Sequence, residues 1–117
     1  MDFRQYTLAL LRLRADAPAL TAEEENTLQD AHMAYQSTLH ERGELLVAGP
    51  VLGPVDRRLR GLGIYAGDVQ RARELADDDP AVRAGRYHHE FRPWLVPAGL
   101  VTFTPGRLPA SMAEAAG

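Results

Sequence analysis

Residues 40–50 read His40-Glu41-Arg42-Gly43-Glu44-Leu45-Leu46-Val47-Ala48-Gly49-Pro50. A charged helix end, a glycine and an apolar run follow one another without a spacer. Gly43 is a natural C-terminal stop. Residues 44–52 then read as a strand, with Gly49-Pro50 suited to a bulge or a strand end. Upstream, Thr21-Ala22-Glu23-Glu24 forms a capping box, and three glutamates in the first turn suit the positive end of the helix dipole. Leu28, His32, Tyr35 and Leu39 recur at helical spacing, so one helix fills the interval up to Gly43. Before it, residues 4–14 are apolar on both alternating faces until the arginines, as a central strand requires. Asp16-Ala17-Pro18 breaks that strand.

Downstream, residues 53–61 are polar, contain Pro54 and three arginines, and read as a loop. A third strand is expected over 62–67. Asp68 can cap a second helix through Ala76, with Val69, Ala72 and Leu75 inward. Asp79-Pro80 starts a further helical turn, the aspartate as cap and the proline in the first position, and Gly85 ends it. A fourth strand runs over 86–96, and a short fifth is possible at 100–103. Residues 1–104 thus form one domain, and 105–117, rich in Pro, Ala and Gly, read as a loose C-terminal tail.

The order strand, helix, strand, strand, helix, strand is the βαββαβ, ferredoxin-like pattern of α+β folds. Two helices on one side of a four-stranded sheet leave the other side bare. A second copy of the chain can cover it, so a homodimer is expected.

Composition sets outer limits. The chain has 117 residues, 45% hydrophobic and 25% charged, which places it with globular domains rather than disordered ones. Its net charge is −3 and it has no basic face, which argues against nucleic acid as a partner. All 13 basic residues are arginine, and Arg57, Arg58 and Arg60 form the single tight cluster, read as a solvated loop rather than a phosphate site. There is no cysteine, so thiolate catalysis, disulfides and cysteine metal sites are excluded. No apolar run is long enough to span a membrane, and Arg12 and Arg14 spoil the start as a signal peptide, so the cytoplasm is the expected location.

Phosphate-loop, dinucleotide and metalloprotease signatures are absent, which leaves four histidines and an acidic run. His32, on the apolar stripe, reads alone more often as a core or interface histidine than as a functional one. His40 suits the negative end of the helix dipole. His88 and His89 are adjacent on a strand and point to opposite faces, so they cannot share a metal, and surface or dimer-interface placement is expected. Asp77, Asp78 and Asp79 point in different directions, and capping alone explains Asp79.

In His32, the 40–50 stretch and Ala76-Asp77-Asp78-Asp79-Pro80-Ala81-Val82-Arg83-Ala84-Gly85, the chain resembles the YciI-like (YCII-related) family over about residues 5–96. Phe91-Arg92-Pro93-Trp94 resembles that family's last strand. The resemblance implies a dimeric α+β barrel of ferredoxin-like subunits with a cleft holding a histidine–aspartate pair, by motif position His32 and Asp79. It implies cofactor-free acid–base chemistry on a small cyclic or carbonyl compound, a lyase or isomerase of the dehydrochlorinase kind, with neither cofactor nor metal. A carboxylate beside an imidazole stabilises the imidazolium and fixes which nitrogen faces the substrate. Two alternatives stand beside it: a non-catalytic module binding a small ligand or a partner in the same cleft, and a cofactor-independent monooxygenase. Where the family has a tyrosine after Asp-Pro, this chain has Ala81, which predicts a larger cleft or one lacking a hydroxyl if that position lines the cleft.

Overall fold

A computed structural model describes residues 1–53 and 56–117. The strands are β1 (Phe3–Leu13), β2 (Leu45–Pro50), β3 (Leu59–Tyr65) and β4 (Tyr87–Pro97). The helices are α1 (Ala22–Glu41), α2 (Val69–Asp77), α3 (Pro80–Arg83) and α4 (Met112–Ala116). The strands form one antiparallel sheet in the order β2-β3-β1-β4, the ferredoxin-like arrangement expected from the chain order.

Local chemistry accounts for the helix boundaries. The Thr21 hydroxyl accepts from the Glu24 amide at 3.1 Å, and the Glu24 carboxylate accepts from the Thr21 amide at 3.0 Å. The capping box is therefore complete. Past the other end of α1, Gly43 has φ 76°, a backbone shape that side chains resist. Asp68 caps α2 and Asp79 caps α3, with Pro80 at the start.

One sheet face carries the helices. Thr7, Ala9 and Leu11 of β1 are buried on it. The core beneath α1 and α2 joins Ala9, Leu39, Leu45, Tyr65, Ala72, Leu75, Ala76 and Phe91. Tyr6, Leu8 and Leu10 face the opposite way and are only half-buried. Leu62, paired with Leu10, is 39% exposed, and Val47, paired with Ile64, is 43% exposed. This face is the apolar one left bare in the chain.

Three expectations change. β3 starts at Leu59, earlier than expected, because its pairing with β1 continues through Gly61 to Leu59 despite the intervening arginine. The expected loop over 53–61 therefore loses its last part to the strand, and its residues 54 and 55 lie outside the described residues. Residues 100–103 form no strand; Phe103 instead packs edge-on against Tyr6, ring centroids 5.2 Å apart. The stretch expected as a loose tail carries α4, capped by Ser111. It docks on α1, where the Met112 amide donates to Asp30 at 2.8 Å and the Ser37 hydroxyl donates to the Leu108 carbonyl at 3.3 Å. Those contacts are tertiary and leave no local sequence signal. No helix among the described residues is long and apolar enough to cross a membrane.

Candidate functional site

A cavity of about 590 Å³ opens between α1, the helix-side face of the sheet and the C-terminal segment. Its wall on α1 includes His32, and Leu108, Pro109 and Met112 of the C-terminal segment close part of it. Small or absent side chains line the middle of its floor. Strand register sets Ala9 opposite Gly63 and Leu11 opposite Gly61, with Ala48 and Pro50 beyond them on β2. A β-carbon at Gly63 would stand 3.2 Å from Leu45 Cδ1, and one at Gly61 would stand 3.3 Å from the Gly49 carbonyl oxygen. The two glycines thus keep bare backbone where any side chain would crowd a neighbour or take up cavity space.

His32 sits on the buried stripe of α1 and is 4% exposed. Asp79, across 47 residues of sequence, is 2% exposed. The His32 Nδ1–H donates to Asp79 Oδ2 at 2.5 Å. The direction follows from the carboxylate, which can only accept. Asp79 Oδ1 accepts from the Ala81 amide at 2.9 Å. One carboxylate therefore caps α3 with one oxygen and holds the imidazole with the other. That fixes the His32 ring and leaves Nε2 for the cavity. The Tyr87 ring, 5.7 Å from that of His32, packs beside it.

Of the acidic run, Asp79 alone reaches this site. Asp78 pairs with Arg83 at 2.5 Å on the surface, and Asp77 is exposed. His40 is structural, its Nδ1–H donating to the Leu45 carbonyl at 2.8 Å. Arg60 reaches the cavity wall, whereas Arg57 and Arg58 do not line it. Ala81, at the family's tyrosine position, is fully buried against Leu11 and Tyr87 and does not line the cavity. The condition for a larger cleft or a missing hydroxyl there, a position on the cavity lining, is therefore not met.

His89 departs from its expected surface or interface placement. It pairs with Leu11 across β1, shares the helix-side face with Tyr87 and Phe91, and lines the cavity. Strand alternation separates His88 from His89, but it does not say which of the two points inward. Burial pushes the His89 imidazole down to about 4, with His32 and His88 adding to the effect and Asp79 opposing it. Burial likewise holds the Tyr65 phenol far above its ordinary range, so this cavity-lining tyrosine is a neutral hydroxyl. Tyr35 is raised in the same way, chiefly by burial, and its hydroxyl donates to the Leu75 carbonyl at 2.7 Å.

The lowered His89 value carries a stability consequence. Above about pH 6.5 the ring is neutral in both the folded and the unfolded chain. As pH falls toward 4, the unfolded chain takes up the proton first, so stability is lost in that window. The expected loss is about 3 kcal/mol at 1.36 kcal/mol per pH unit. Urea unfolding of wild type and His89→Gln between pH 7.5 and 4 measures it. The wild type should fall more steeply, and parallel curves would contradict the assignment.

The sequence model of the YCII-related domain matches residues 8–94. The chain is 34% identical over 83 residues to Protein YciI of Escherichia coli O6:H1, covering 64% of this chain and 84% of that protein. It is equally similar to Protein YciI of Shigella flexneri. Among solved structures it resembles 5-chloro-2-hydroxyhydroquinone dehydrochlorinase (TftG) of Burkholderia phenoliruptrix AC1100, in complex with 2,5-dihydroxybenzoquinone. The TM-score is 0.54 and the identity 22%, over 76% of this chain and 92% of that one, which is a likeness of fold.

Proposed function

Because the chain belongs to the YCII-related family, with an α+β subunit of the kind that builds dimeric barrels, we propose that it is an acid–base lyase or isomerase acting on a small cyclic compound through His32 and Asp79. The observation that carries this reading is the buried His32–Asp79 pair at the wall of the 590 Å³ cavity. The paired carboxylate stabilises the imidazolium that forms when Nε2 takes a proton, and it presents the same nitrogen for the return.

A chlorinated hydroxyquinol illustrates the chemistry. His32 removes a hydroxyl proton and delivers a proton to the chlorine-bearing ring carbon, which becomes tetrahedral. A second hydroxyl proton then leaves, the electron pair moves into the ring, and the carbon–chlorine bond breaks. The net change is loss of HCl, with a hydroxyquinone as product and no oxidant consumed. The test is chloride release from 5-chloro-2-hydroxyhydroquinone under anaerobic conditions. Release at a rate above buffer, with solvent deuterium entering the product ring, is the expected result. Saturable binding without chloride release or deuterium uptake would favour the binding module instead.

A second copy is assigned to the bare sheet face. Leu8, Leu10 and Ile64 with the exposed Leu62 and Val47 form an apolar surface of the kind that a stacked sheet covers. Sedimentation equilibrium should give twice the 12.9 kDa chain mass, and Leu62→Arg should shift the protein toward monomer. A monomeric wild type at micromolar concentration would overturn the assignment.

A further inference from the structure

His89 Nδ1 is buried and has no hydrogen-bond partner among the described residues, although it belongs to a ring that lines the cavity. Buried polar atoms without partners are uncommon because each gives up its hydration for nothing. His89 stands on β4 beside Leu11, which faces Gly61 on β3. A flat ligand resting on Gly61 and Gly63 therefore has His89 along one edge of the floor, while His32 stands on the α1 wall.

We propose that His89 is a ligand-binding residue, whose ring nitrogen forms a hydrogen bond with a hydroxyl or carbonyl oxygen of a planar, oxygenated ring held in this cavity. The proposal rests on the acid–base reading for the identity of the site and adds the group that orients the substrate in it. A neutral imidazole can donate or accept, so either oxygen type fits. The floor of Ala9, Ala48, Gly61 and Gly63 suits a ring lying parallel to the sheet. Of the guanidinium groups on the cavity wall, that of Arg86 already faces Glu25 at 3.6 Å, and Arg60 donates Nε–H to the Arg57 carbonyl at 2.6 Å.

The test is a titration of 2,5-dihydroxybenzoquinone into wild type, His89→Leu, His89→Gln and His32→Gln, followed by absorbance and by imidazole nitrogen NMR. Wild type should bind, His89→Leu should bind about tenfold more weakly, and His89→Gln should recover part of the loss. The His89 ring-nitrogen resonances should move on ligand addition in both wild type and His32→Gln. Ligand-free His89→Leu should unfold at a urea concentration no lower than wild type at pH 7.5, since it removes the unpartnered nitrogen. Equal affinity in wild type and His89→Leu, or no binding by wild type, would overturn the proposal. A marked loss of stability in ligand-free His89→Leu would also overturn it, by making His89 a packing residue. Chloride release lost in His32→Gln with quinone binding retained keeps the two ideas separate. If binding depends on His89 and no turnover is seen in wild type, the acid–base reading alone fails.

Discussion

His32→Gln is expected to lower turnover of a dehydrochlorination substrate by about 10²–10⁴-fold, the usual contribution of a positioned acid–base group. Glutamine fills much of the imidazole's space and can still donate to Asp79, so the fold should survive. His32→Ala is a poorer test, because it strands a buried carboxylate, and breaking a buried pair costs about 3–5 kcal/mol. Asp79→Asn complements it. Asparagine caps helices as well as aspartate, so α3 should keep its start while the imidazolium loses its counter-charge. For both variants the loss should fall on kcat more than on KM, because the proton is in flight only in the transition state. Circular dichroism and steady-state kinetics on the same preparations measure this. A folded His32→Gln that turns over at the wild-type rate would end the acid–base reading.

Leu39→Ala is expected to destabilise the protein by about 2–5 kcal/mol, as large-to-small changes do in closed cores. Leu39 is wholly inaccessible and packs in one buried cluster with Leu45, Tyr65 and Leu75. The consequence reaches the site, because Leu39 lies two helical turns beyond His32 on the same stripe of α1. Loosening the helix there loosens the wall that carries the imidazole. Thermal unfolding should show a midpoint lower by about 10 °C or more. A shift of only one or two degrees would mean that α1 is held mainly by its caps and its contacts with the C-terminal segment.

What the sequence shows of this protein divides by distance along the chain. The Thr21–Glu24 box, the Gly43 stop and the Asp79-Pro80 turn are complete within a few residues, and each forms where its local chemistry places it. The element order, and with it the fold class, follows from those punctuation marks. The His32–Asp79 contact spans 47 residues, and no spacing rule foretells it; it was legible through the family motifs. The start of β3 was hidden by Arg57, Arg58 and Arg60, whose polarity reads as loop while the backbone pairs with β1 from Leu59 onward. The inward turn of His89 was hidden because period-two alternation assigns faces only relative to one another. The docking of Met112 and Leu108 on α1 depends on partners more than 70 residues away, Asp30 and Ser37.

The divided duty of Asp79 bears on how this position should be read across descendants of a common ancestor. If one lineage lost the chemistry, selection would still resist change at this residue, because the start of α3 would continue to need an oxygen acceptor for the Ala81 amide. His32 has no such second employment, since its position on α1 could pass to an apolar residue once Asp79 had become asparagine. Retention of the aspartate is therefore weak testimony that a relative is active. Its inheritance together with the histidine is the stronger sign, and a relative with Asn and Leu at these two positions should be folded and inert.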